Sequence, residues 1–133
     1  MILLDTHTLL WWLDGAQELS HPVNREIAKH ENTNSIHVSA ISIWEVCLLV
    51  QKKKIDLQRN LHEWTQRLEN LSFVNIIPVN HWIFLMSTEL QSFPNKDPAD
   101  RIIVATAQKL GATLISKDDK ILNYPHVKSF WKD

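Results

Sequence analysis

At 133 residues, with 44% apolar side chains and six tryptophans, the chain is sized for one compact domain that buries roughly two-thirds of its unfolded surface. A formal charge of −1 removes the global positive field of a simple nucleic-acid-binding module but leaves room for an enzyme with a local basic rim. The single Cys47 excludes an internal disulfide and a thiolate zinc cage, and no run reaches the about 18 apolar residues of a membrane span.

The chain begins MILLDTHTLLWWLD, an apolar strand over 2–4 that is broken at Asp5 and followed by a short helix over 8–13. That break also argues against a signal peptide, so a cytoplasmic setting is expected. A helix over 22–30 follows with Ser20 as its cap, then a strand over 36–38 and a helix over 40–53 capped by Ser39. The segment 51–60, with Lys52-Lys53-Lys54, is the most loop-like interior piece. Beyond it come a helix over 61–71, a strand over 74–79 and a helix over 82–90. A helix over 98–110 lies between Asp97 and Gly111, and strands over 113–115 and, more weakly, 127–130 end the set. Unbroken apolar strands alternating with helices predict an α/β fold, a three-layer α/β/α sandwich around a small, mostly parallel sheet in a single domain over 1–133.

In open α/β sheets, sites form outside the carboxyl ends of the strands. Asp5 stands at that end of the first strand, and Ser116 and Asp118 stand just past another. Asp97 and Asp100 open a helix three residues apart and can share a face. Glu45 is the only charged residue between Ala40 and Val50, on a helix apolar on every side; such helices are normally buried, which points Glu45 into the protein.

Each acid also has a plain structural use. Asp97 and Asp100 fit a capping box with Pro98 at the first helical position, Asp118 and Asp119 fit a cap over 120–123, and Asp5 fits a cap on the helix it precedes. Glu45 can pair with Arg101. These uses do not account for an apolar-flanked Asp and a core-facing Glu occurring together beside strand-end acids. If Asp5, Glu45, Asp100 and Asp118 converge, each like-charge pair about 5 Å apart costs roughly 3 kcal/mol at an effective dielectric near 20. Such a pocket either protonates some carboxylates or takes a divalent cation. Oxygen-only ligands suit Mg2+ or Mn2+ rather than zinc, and phosphodiester hydrolysis by an activated water is the chemistry that follows.

At these residues the chain resembles the PIN-domain family, most closely the VapC-type ribonuclease toxins of bacterial toxin–antitoxin pairs. The resemblance rests on LLDTHTLLWWL at 3–13, VSAISIWEV at 38–46, KDPADRIIVATA at 96–107 and TLISKDDKI at 113–121, in matching order across nearly the whole chain. It implies a small sheet with helices on both sides and Mg2+- or Mn2+-dependent RNA cleavage. It further implies homodimers and neutralisation by a small antitoxin whose tail enters the active-site groove. Asp5, Glu45, Asp100 and Asp118 fall where the family keeps its acidic quartet, Thr6 and Ser116 where hydroxyls support the site, and Asp97 where an outer acid stands. One departure is Asn95, where close relatives often carry a histidine.

The seven histidines show no paired metal spacing. His7 could touch substrate, but a local hydrogen-bonding role is preferred for it and for His37. The Lys52–Lys54 run is read as solvating a helix end and complementing its dipole rather than as a phosphate site. Arg101 is a candidate either to reach RNA or to orient a carboxylate. Trp11, Trp12, Trp44 and Trp64 are read as core or subunit interface rather than base-stacking platforms, which need exposed rings.

Two other functions compete with a metal-dependent endoribonuclease. An aspartyl-phosphate phosphatase could use Asp5 as nucleophile, but the second Asp expected two residues later is His7. A non-catalytic RNA- or protein-binding module would leave Glu45 without a purpose.

Overall fold

A computed structural model describes all 133 residues. Five strands form one all-parallel sheet in the order β3-β2-β1-β4-β5, with β1 at Ile2–Leu4, β2 at Ile36–Ser39, β3 at Val74–Ile77, β4 at Thr113–Ile115 and β5 at Ser129–Phe130. The helices are α1 (Thr6–Asp14), α2 (His21–Ala28), α3 (Ala40–Gln51), α4 (Leu61–Glu69), α5 (His81–Thr88), α6 (Pro98–Leu110) and the single-turn α7 (Asp119–Leu122). Ser20, Ser39 and Asp97 cap α2, α3 and α6 as the sequence predicts, and Gly111 ends α6 at φ 65°, a left-handed conformation that glycine adopts without a Cβ penalty.

Side-chain alternation along β1 makes the three layers. Ile2 and Leu4 join a cluster with Leu9, Val23, Ile27, Val46 and Trp64, contributed by α1 to α4. Leu3 points the other way, into a cluster with Ile83 and Ile103, contributed by α5 and α6. The chain lays β2 and β3 successively to one side of β1, then returns to place β4 and β5 on the other. Right-handed crossovers require the helices of those two halves to cover opposite faces, which is what the two clusters record. The reversal of winding falls between β1 and β4, paired in the register Leu4↔Ile115. At that switch point strand ends diverge and leave a crevice.

One expectation fails here. Of the apolar helix α3, only Ser42 and Val46 are buried, Trp44 is 53% exposed, and Glu45 is half-buried rather than enclosed. The cause is packing geometry: α3 lies against α1 and α6, and no element of the chain covers its remaining side. On α5, Trp82, Phe84 and Leu85 are likewise exposed.

Candidate active site

Asp5 follows β1 directly, its backbone N–H donating to Ile115 O of β4 at 3.2 Å. Its carboxylate is the N-cap of α1, accepting from Thr8 N at 3.0 Å. The Thr8 hydroxyl donates to Ile115 O at 3.0 Å, tying the start of α1 across the switch point. Thr6 turns its hydroxyl to Ser42 at 3.0 Å, joining α1 to the helix that carries Glu45. Past β4, Ser116 Oγ accepts from Asp118 N at 3.1 Å, and Asp118 caps α7 by accepting from Lys120 N at 2.9 Å. Thr6 thus ties α1 to α3 through side chains, and Ser116 holds the backbone of the turn into α7.

Asp5, Glu45, Asp97, Asp100 and Asp118 line one cavity of about 400 Å³, together with Thr6, His7, Trp11 and Lys117. The acids singled out in the sequence are therefore brought to one place. Three of them also cap helices, so α1, α6 and α7 direct their N-terminal ends at the acids, and those partial positive charges help hold them. Capping and site-building are the same geometry here rather than rival explanations.

The electrostatics record the crowding. Burial pushes the Asp5 carboxyl above its usual range, against the lowering effect of hydrogen bonds from Ser116 and Thr8. Asp100 is pushed up to about 7, first by burial and then by the charges of Asp97, Glu45 and Asp118. Glu45 has no ion pair, the two salt bridges of the protein both being made by Glu26 on α2. No three carboxylate, imidazole or thiolate groups stand within joint reach of one ion. The acids surround a shared space instead of forming a closed cage.

Arg101 forms no ion pair with a carboxylate. It points away from the cavity, donating from Nε to Ser87 O at 2.9 Å and from Nη1 to Asn95 O at 3.1 Å, with its guanidinium 5.9 Å from the Phe93 ring centroid. It does not pair with Glu45. A planar fork that reaches two carbonyls from one helix turn suits holding the loop before α6, and the acids beyond are out of its reach. Arg101→Ala is expected to cost about 2–3 kcal/mol in urea unfolding, with Arg101→Lys recovering less than half of that. Equal stability of all three proteins would show that the loop holds without the fork.

The anchored loop carries Asn95, whose importance the sequence left unassigned. Its amide donates to Asp100 Oδ2 at 2.6 Å while its Oδ1 accepts from Asp97 N at 2.9 Å. Asp100 is therefore not the N3 member of a capping box: the Asp97 N–H is already taken by Asn95 and the Asp100 carboxylate by the same side chain. The legible signal was an Asn two residues before an N-cap Asp, the spacing of an Asx turn.

His37 differs from expectation too. It lies inside β2, and neither ring nitrogen has a hydrogen-bond partner. Burial, helped by the N-terminal ammonium, holds its pKa below the usual histidine value. His7 is exposed at the cavity, tilted at 48° to Trp11. Trp12 and Trp64 pack on or within the core as expected. Trp44 is exposed, and Trp11 is half-buried at the cavity itself. Lys52 forms the C-cap of α3, in keeping with a helix-end role for the lysine run.

Comparison with known proteins agrees with this geometry. A family model described as PIN domain matches residues 2–127. Ribonuclease VapC22 of Mycobacterium tuberculosis is 35% identical over 127 residues, 94% of this chain and 92% of that protein. Among solved structures, VapBC2 from Rickettsia felis bound to a promoter DNA fragment gives a TM-score of 0.71 at 18% identity, covering 99% of this chain and all of that one. A toxin–antitoxin complex from Klebsiella pneumoniae gives 0.68 at 24% identity, covering 98% and 97%. A parallel sheet wound from its centre, a crevice of carboxylates at the switch point and a match along nearly the whole sequence converge: the chain belongs to the PIN domain family.

Proposed function

We propose that the protein is a divalent-metal-dependent endoribonuclease, the toxin of a toxin–antitoxin pair. The observation that carries the reading is the set of carboxylates around one cavity at the switch point, two of them pushed toward the protonated form. Its 35% identity to a protein named a ribonuclease supports the substrate class.

The donor set fits a hard cation. Every acid at the cavity is an oxygen ligand, and Asp100 is raised first by burial and then by its neighbours' negative charge, a repulsion that a cation relieves. Asp5, Asp100 and Asp118 would hold it partly through bound water, since no three of the acids reach one ion directly, with Glu45 reaching it directly or through water. A cation bound there supplies charge neutralisation at the phosphodiester and activation of the attacking water. The chain itself fixes positions: Ser116 and Thr8 hold Asp5, and Asn95 holds one oxygen of Asp100. Glu45, unpaired and half-buried at the cavity, would accept a proton from the attacking water. Asp97 stands as the outer acid.

The phosphatase alternative places a general acid at the position of His7, and an imidazole there is exposed rather than held against Asp5. A binding module leaves the unpaired Glu45 and the raised Asp100 without a role. A small antitoxin and a second copy of the chain are the expected protein partners. The exposed Trp44, Trp82, Phe84 and Leu85 provide apolar surface for such contacts.

Purified protein is expected to cleave RNA with Mn2+ or Mg2+. EDTA abolishes this, and Asp5→Asn lowers the rate by roughly a hundred-fold or more. Cleavage that persists through both controls would remove the metal mechanism, and intact RNA under every metal condition would favour the binding module.

A further inference from the structure

The cavity is not acidic all round. Glu45, Asp97 and Asp100 line it together with Trp11 of α1, with His7 one turn earlier and Lys117 after β4. Trp11 is half-exposed, and its ring centroid lies 5.9 Å from that of Trp131 beyond β5, at an interplanar angle of 67°. Lys117 Nζ lies 5.9 Å from the Trp131 ring centroid. His7 meets Trp11 at a centroid distance of 5.8 Å and 48°. Neither neighbour lies flat on the Trp11 indole, so no parallel stack occupies its face. Its packing against the core cluster fixes the ring in place without enclosing it. An aromatic platform beside the exposed ammonium of Lys117 is what an unpaired nucleotide needs: a π-face for its base and positive charge for its phosphate.

The charge of the protein favours such a platform. A net charge of −1 and five carboxylates at the cavity supply no field that gathers a polyanion. Beside the charge neutralisation of a bound cation, base–aromatic stacking is a short-range source of RNA affinity that does not depend on net charge. A base inside a duplex already stacks on its neighbours and cannot use the platform.

We propose that Trp11, with Trp131 and Lys117 beside it, forms a subsite that takes one unpaired nucleotide of the RNA next to the phosphodiester to be cleaved. This rests on the ribonuclease reading and adds to it a named contact, the Trp11 ring as the surface that holds a base beside the cleaved bond. Trp11 packs on the core cluster, as read from the sequence, and its uncovered side reaches the cavity.

The test uses an unstructured, labelled RNA of about 12 nucleotides, alone and annealed to its complement. Cleavage with Mn2+ is measured for wild type, Trp11→Leu, Trp11→Phe and Lys117→Ala. Binding is read by anisotropy in the Asp5→Asn background, and folding by circular dichroism. The expected result is a roughly ten-fold or greater loss of kcat/KM in Trp11→Leu, carried mainly by KM, with Trp11→Phe restoring most of it. Lys117→Ala is expected to weaken binding and reduce the slope of log affinity against log salt by about 0.7. The annealed strand should be cut at least about ten-fold more slowly. Active, folded Trp11→Leu with unchanged KM would overturn the subsite and leave the ribonuclease reading standing. Wild-type protein that binds the strand through Trp11 but never cuts it would overturn the ribonuclease reading alone. If Trp11→Leu does not fold, the exposed Lys117→Glu decides: a five-fold loss of binding supports the subsite, and no loss overturns it.

Discussion

Asp100→Asn stabilises the metal-free protein, and by an amount that grows as the pH rises from about 4 to 8. The Asp100 carboxyl moves from an ordinary value of 3.8 to about 7 in the fold. Between those values the native state binds more protons than the unfolded state, so stability falls as pH rises through that window. The contribution is fully present below the unfolded pKa and lost as pH passes 7. A shift of this size sets a ceiling of about 4 kcal/mol, and screening at this half-buried carboxyl reduces it to about 2. Melts in EDTA should therefore show the variant and wild type close together near pH 4, with the variant higher by about 6 °C above pH 7. Asp5 has the same sign, and burial lowers the pKa of His30 and His37, opposing folding in acid. All three persist in the variant and cancel in the difference. Glu45→Gln, which removes one of the charges that raise Asp100, should also stabilise the metal-free protein while ending cleavage. A pH-independent difference between Asp100→Asn and wild type would mean that neither burial nor neighbouring charge raises the Asp100 carboxyl. Marked destabilisation by Glu45→Gln would indicate a structural ion pair that the fold as described lacks.

Mn2+ has the second large effect. An ion that binds the folded chain alone stabilises by about 2.7 kcal/mol at a hundred-fold excess over its dissociation constant, which for a domain of this size is about 8 °C in melting temperature. Binding must displace the proton on Asp100, so affinity should rise about ten-fold per pH unit below 7 and level off above it. Asp5→Asn and Asp100→Asn should each lose most of the shift, with calorimetry showing less proton release in Asp100→Asn than in wild type. An undiminished shift in both variants would place the ion outside the cavity. The readout needs no substrate, so it separates ion binding from RNA cleavage.

How each acid could be read depended on what kind of information its role required. Asp5, Asp97 and Asp118 stand at element boundaries, where strand ends and caps have local sequence signals, and α6 begins and ends where Asp97 and Gly111 predict. Glu45 stood out because one charge on an apolar helix is conspicuous. The inference from its surroundings nevertheless overshot, since apolar composition tells what a helix prefers, not whether its own chain supplies the cover. Asn95 went unassigned, and the carbonyl partners of Arg101 went unseen, for a related reason. Both act through bonds to main-chain carbonyls or to a neighbouring carboxylate, and any Asn or Arg near a helix start looks the same until the loop path is known.

The sequence by itself determined the alternation of strands and helices, the caps and the set of acidic positions, because periodicity and capping are local consequences of side-chain chemistry. Tertiary structure decided the winding order that opens the crevice between β1 and β4 and the raised proton affinity of Asp100. It also decided the placement of Trp11 at the cavity and the turning of Arg101 away from it. Each of these depends on distances between residues far apart in the chain, and the pairing of β1 with β4 across more than a hundred residues sets those distances.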